Sequence, residues 1–110
     1  MKNFIQPGNV VTLPAPYNLT SGQGVLVGAI FGVATNDALQ STPVEAVRDG
    51  IFTLGAVTAD TLATGEKVYW DNTARRLTKT ATNNVLVGAA AAPKSGTETS
   101  AVVLLDGVIR

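Results

Sequence analysis

The sequence predicts a mainly-β protein of one domain: a small β-barrel or β-sandwich with an extended N-terminal arm and at most one short helix. Three observations carry that prediction. Short runs rich in Val, Ile, Thr, Phe, Tyr and Trp recur along the chain, divided by Gly, Pro, Asn and Asp at close spacing, as strands and turns are. Only one stretch, Ala59 to Ala63, reads as a helical turn. The chain has 110 residues, enough for a single core that buries about two-thirds of the surface exposed when unfolded. The expected division is an arm over residues 1–20 and one β domain over residues 21–110.

The arm is read from its prolines. Pro7, Pro14 and Pro16 are three of the five in the chain, and each removes a backbone donor and holds its neighbour extended. Phe4, Ile5, Val10 and Val11 are apolar groups that a solvated arm has little reason to carry. The tripeptide Asn18-Leu19-Thr20 matches a glycosylation acceptor, a short motif that recurs by chance.

From Val25 to Ala34 the chain is apolar with Gly28 and Gly32 inside it, which reads as one run bent around a barrel. Pro43 to Val47 alternates Val and Ala against Glu45, a strand pattern. Asp49-Gly50 is a strong hairpin signal, making Ile51 to Val57 the partner strand. In the helical turn expected next, Asp60 lies in the favourable first turn and Gly65 stops it.

Gly65 to Ala92 carries three strand-like runs and reads as a β-meander. Lys67 to Trp70 is the first. Asp71-Asn72-Thr73-Ala74 reverses the chain, because Asp and Asn bond their own backbone two residues on. The return, Arg75 to Thr80, has no cleanly apolar face and suits a sheet edge, where charge discourages unwanted pairing. The third run, Val85 to Ala92, reads as a strand buried on both faces. Pro93 to Thr97 is a loop, and Thr99 to Leu105 closes the fold.

Two echoes run through this pattern. Val-Leu-Val-Gly-Ala occurs at Val25 and again at Val85, and Ser21-Gly22 precedes Val25 much as Thr64-Gly65 precedes Val68. A duplicated β unit and chance recurrence in an Ala/Val/Gly-rich chain both account for them.

Composition narrows function mainly by exclusion. There is no cysteine and no histidine, which removes disulfides, the usual structural zinc sites and the commonest general base. Eight basic residues balance eight acidic ones, so no net field favours nucleic acid or an anionic membrane. No apolar run approaches a membrane span and the amino terminus has no signal-peptide core. Charged residues make up 15% against about 25% in an average domain. So lean a surface suits burial against another subunit, though small side chains in an Ala/Gly-rich β protein explain it equally.

Catalytic and nucleotide motifs fail on spacing. A phosphate-binding loop needs adjacent Gly-Lys followed by Ser or Thr and then a helix; Gly65-Glu66-Lys67 runs into a strand instead. The carboxylates are scattered singly, with no nucleophile system beside them. Arg75, Arg76, Lys79 and Lys67 make the one basic cluster, close to Tyr69 and Trp70, the ingredients of a small oligonucleotide-binding barrel. Adjacent strand residues face opposite ways, however, so Tyr69 and Trp70 cannot form one platform. Both read instead as core or interface anchors. The residues imply no catalytic site, cofactor or metal.

Several stretches, in order, resemble the small capsid cement, or head decoration, proteins of tailed bacteriophages. They are Lys2 to Gly8, Ala15-Pro16, Ser21-Gly22 before Val25 to Gly28, Phe31 to Ala34, Gly50 to Leu54, Gly65 to Asp71, Thr80 to Asn83 and Val102 to Val108. Val68-Tyr69-Trp70-Asp71 is the most specific piece. Asn9, where an Asp is common, and Thr53-Leu54-Gly55, which lacks a following Pro-Lys, depart from the pattern. The resemblance implies a structural virion protein, not an enzyme, made in the bacterial host cytoplasm. It would bind the major capsid protein on the outer surface of the head and self-associate, as a homotrimer first and a dimer second. Its expected contact residues are those of the arm: Lys2, Asn3, Phe4, Ile5, Gln6, Pro7, Val10 and Val11. The family is sometimes labelled a predicted recombinase, a label the missing phosphate loop does not support. The alternative is a small β-barrel nucleic-acid-binding protein of phage or prophage origin; neither reading has a membrane or small-molecule partner.

Overall fold

A computed structural model describes residues 8–109, which form nine strands and no helix. The strands are β1 (Val10–Pro14), β2 (Gly24–Val27), β3 (Ile30–Ala34), β4 (Pro43–Val47), β5 (Asp49–Gly55), β6 (Lys67–Asp71), β7 (Arg76–Thr78), β8 (Val85–Ala90) and β9 (Ser100–Asp106). One antiparallel sheet has the order β1-β4-β3-β2, and the other β5-β9-β8-β6-β7. Both curl. The second nearly closes into a barrel, because β7 reaches β5 through a parallel bridge between Ala56 and Leu77, and the Val57 N–H donates to the Leu77 carbonyl at 2.9 Å.

Each sheet encloses its own core, as the alternation of its strands dictates. Leu13, Val25, Val44 and Ala46 fill the first, and Leu54, Val68, Trp70, Leu77, Val103 and Leu105 the second. Val33 comes from the first sheet but is buried in the second core, so the two units are packed together.

The sheets repeat one plan. Strands β1, β2, β3 and β4 correspond to β5, β6, β8 and β9, in the same order across the sheet. Glycine turns precede the second strand of each unit, with φ of 93° at Gly22 and 90° at Gly65. Gly22 N–H bonds Ala34 as Gly65 N–H bonds Ala90, and Ala34 N–H bonds Gln23 as Ala90 N–H bonds Glu66. The side chains Gln23 and Glu66 even accept the same backbone bond, from Thr20 and Ala63, at 3.0 Å each. Bridges Leu19–Ala38 and Leu62–Lys94 close the two units alike. A Cβ at Gly32 would meet the Val47 carbonyl, and one at Gly88 the Leu104 carbonyl, so the same close strand approach demands glycine twice. The second echo in the sequence is therefore a real repeat. The first is not: Gly28 turns a hairpin at φ 58°, whereas Gly88 lies inside β8. What distinguishes the second unit is the longer connection between β6 and β8, which contains β7.

Several expectations are corrected. The run Val25 to Ala34 is a hairpin, β2 and β3, because Gly28 supplies the positive φ that a tight reversal needs. Asp49-Gly50 makes no hairpin. Both residues belong to β5, whose ladder lies on β9, and the chain crosses between sheets at Arg48. Gly65 to Ala92 is no meander, since β6 lies between β7 and β8 and pairs with both. The return strand is only Arg76–Thr78; Arg75 sits in the turn at φ 58°. β7 does lie at the sheet edge. β8 is half-exposed at Leu86 and Ala89 rather than covered on both faces. Ala59 to Ala63 forms a turn and the Leu62 bridge, with no helix.

The arm changes most. Val10 to Pro14 pairs residue by residue with β4, and Leu13, Ala15 and Leu19 are buried in the first core. From Val10 onward the expected arm is part of the folded domain. Pro14 does not prevent this, because β1 is an edge strand and an edge tolerates a missing donor.

Candidate functional site

Lys2, Asn3, Phe4, Ile5, Gln6 and Pro7 lie outside the described residues. Val10 and Val11 are half-buried in β1, opposite Val47 and Ala46. Nothing in the structure brings these two to Tyr69 or Trp70, so the expected site residues do not form one cluster.

Trp70 sits at the junction of the two units. Its indole is 2% exposed, lies 5.0 Å from the Phe31 ring at a tilt of 51°, and fills the space a Cβ at Gly24 would need. Its Nε1–H donates to Asn72 Oδ1 at 3.0 Å, so the one polar atom of the ring is satisfied. Asp71 builds the turn that places Asn72 there: its Oδ1 accepts from the Thr73 and Ala74 N–H groups at 3.0 and 3.2 Å. Tyr69 is half-buried on the opposite face of β6.

Two members of the basic cluster are engaged within the molecule, while Lys67 and Arg76 are exposed. The Arg75 guanidinium lies 3.7 Å above the Tyr17 ring, and Lys79 Nζ reaches the Thr61 carbonyl at 3.1 Å and Glu66 at 3.7 Å. Trp70 is enclosed and so is not available beside these cations as a stacking surface for bases.

A cleft of about 260 Å³ opens beside Trp70, lined by Tyr17, Gln23, Gly24, Thr53 and Arg75 among others. Among the described residues that line it there is no carboxylate. Tyr17 spans its wall and donates to the Gly24 carbonyl at 2.7 Å. Burial raises the Tyr17 pKa above its ordinary 10.0, with the Arg75 charge opposing. A raised folded pKa gives stability that is full below the unfolded value and is lost as pH rises through the folded one. The stability difference between the protein and Tyr17→Phe should therefore shrink as denaturant titrations are carried above pH 10.0. A pH-independent difference would mean that the phenol hydrogen bond is not linked to folding.

Two residues that sequence reasoning passed over tie the fold together. Lys94 is 4% exposed, and its ammonium donates to the carbonyls of Thr58, Asp60 and Ser95 at 3.0, 2.6 and 3.0 Å. Arg48, at the crossing between sheets, donates to the Gly8 and Gly107 carbonyls and so clamps the start of β1 to the end of β9. Among the described residues no group of three acidic, His or Cys side chains is placed to hold a metal.

Apolar sheet surface is exposed as well. Ile51 and Leu104, 63% and 46% exposed, face each other across β5 and β9. The molecule is all-β, lean in charge and built of two repeated sheets, and an exposed apolar pair of this kind suits contact with another protein. Residues 5–105 match the family model for phage cement proteins, and the chain belongs to that family. Membership points to a structural role at the capsid of a virion. Comparison with curated proteins and with solved structures found no match.

Proposed function

We propose that the protein is a capsid cement that binds the outer surface of the assembled phage head and stabilises the lattice of the major capsid protein as a homotrimer. The observation that supports this most is the family match, which spans both repeats and every strand but the last residue of β9. The exposed Ile51–Leu104 pair and the low charge content accord with a protein that buries surface against neighbours. A lattice offers many identical sites, so an oligomer engaging several at once holds far better than one chain engaging one.

Lys2 to Pro7 form the proposed capsid-grasping segment, which would act by adding to an exposed sheet edge through backbone hydrogen bonds. Val10 and Val11 serve that segment only as its anchor, since β1 already uses them. Heads prepared without the protein test the reading. The full chain should co-sediment with them to a fixed stoichiometry, whereas a chain lacking Met1 to Gln6 should melt near the parent temperature yet fail to saturate heads. A truncated chain that saturates heads rules out the grasping segment; a full chain that never co-sediments rules out the capsid reading. Single-stranded DNA should show no saturable binding at about 0.15 M salt, where a phosphate-driven complex would remain measurable.

A further inference from the structure

The two repeats differ in what covers them, and from that difference we propose that copies of the protein associate head to tail. The outer face of the second sheet in one copy, centred on Ile51, Leu104 and Ala89, packs against the open side of the first core in the next, around Val11, Val27 and Ile30.

The contact already exists once inside the chain. On the first sheet Gly24 pairs with Val33 and Leu26 with Phe31, and these four residues share the face turned away from the first core. That face is covered: Val33 is 5% exposed within the second core, Leu26 and Phe31 pack against the same core, and the Trp70 ring abuts Gly24. By the repeat, the corresponding residues of the second sheet are Lys67, Tyr69, Leu86 and Ala89, where Lys67 pairs with Ala89 and Tyr69 with Leu86. Lys67 is exposed and Tyr69, Leu86 and Ala89 are half-buried, whereas Gly24 and Val33 of the first set are buried. Ile51, Leu104 and Ala89 stand in one row across three adjacent strands, with Ile51 and Leu104 exposed. Their counterparts Val10 and Val47 are half-buried.

The covering surface is missing its partner in the same way. The second core takes the β2–β3 hairpin through Val33, Leu26 and Phe31, with Phe31 against Trp70 of β6 and Phe52 of β5 packed on the same core. The first core presents the corresponding side between Val11 of β1 and Val27 of β2, with Ile30 beside them; all three are half-buried and pack on that core. It has no counterpart of β7, and the Tyr17 ring lies across part of the gap. Each molecule therefore carries one face without its cover and one cover without its face. Because the chain already joins the homologous pair of surfaces internally, a second copy is the occupant they fit. Lys67 replaces Gly24 at the edge of the row, where a charge falls on the polar rim of an interface rather than its centre. Two different surfaces meeting in this way make a heterologous contact, which closes into a ring when the rotation allows.

The proposal rests on the homotrimer reading and names its contact surfaces; tested on the isolated protein, it can fail while capsid binding stands, and a wrong cross-link between associated chains rejects these surfaces without rejecting the oligomer. In sedimentation equilibrium the parent chain should exceed the mass of one chain at about 10–100 μM, a working range for interface-sized affinities. Leu104→Arg should weaken association at least ~30-fold, the scale of a lost hot spot. Because the protein has no cysteine, Leu104→Cys and Val27→Cys can be made in separate chains that each retain a small side chain at the position. Mixed and oxidised, they should cross-link to one another in preference to themselves. A parent chain that stays monomeric throughout that range overturns the proposal, as does unchanged association in Leu104→Arg. Preferential self-cross-linking of the Leu104→Cys chain would show a face-to-face dimer and overturn it too.

Discussion

Replacing Trp70 by Ala should cost about 3–5 kcal/mol, the range for removing a fully enclosed large aromatic. The indole contributes to stability in two ways. It fills the second core, and it carries the contact with Phe31 and Gly24 that joins the first repeat to the second. Its loss leaves a cavity at that junction and deprives Asn72 of its partner. Urea titration should show the drop as a lower midpoint, and amide exchange should accelerate in β2 and β3 as well as in β6. Trp70→Phe keeps a ring and should recover much of the loss. If Trp70→Ala left the midpoint unchanged, the junction would not depend on the indole.

The second large effect is expected at Lys94. Lys94→Met keeps most of the apolar stem but removes the ammonium that three carbonyls share, and it should destabilise by about 2–3 kcal/mol, the scale of charged hydrogen bonds lost from a buried site. The structural consequence should be local. The Thr58 and Asp60 carbonyls are tied to the Leu62–Lys94 bridge through this group, so exchange should rise around residues 58–60 first. The corresponding position in the first repeat is Ala38, whose unit has a shorter connection and needs no such clamp. A change below about 0.5 kcal/mol, within the range of ordinary surface substitutions, would show that water replaces the ammonium without loss.

Local chemistry made part of this architecture readable. Pro43 to Val47 and Lys67 to Trp70 alternate cleanly and form β4 and β6. Asp71 makes the turn that its side chain predicts. Other features depend on partners far along the chain. Asp49-Gly50 has the composition of a hairpin, yet β5 pairs with β9, the last strand, and no local pattern encodes that choice. Val25 to Ala34 hides its reversal, because strands and turn are built from the same small apolar residues. Lys94 lies in Ala-Ala-Pro-Lys-Ser-Gly, which reads as a solvated loop until the carbonyls around it are in view.

The repeat was half-legible for a related reason. Val10-Val11-Thr12-Leu13 and Ile51-Phe52-Thr53-Leu54 match in character, as do Leu19 to Val25 and Leu62 to Val68. The connection containing β7 shifts everything after it, so no single period aligns the two copies. The arm was misplaced at its inner boundary because proline argues against strands in general, whereas Pro14 occupies an edge where its missing donor is tolerated.

Stabilisation of the head is the central claim, and heating DNA-filled heads while following dye access to released DNA measures it most directly. Heads saturated with the protein should release DNA at a higher temperature than bare heads, and the increment should grow with occupancy until the sites are full. Identical release curves with the protein demonstrably bound would contradict a cementing role.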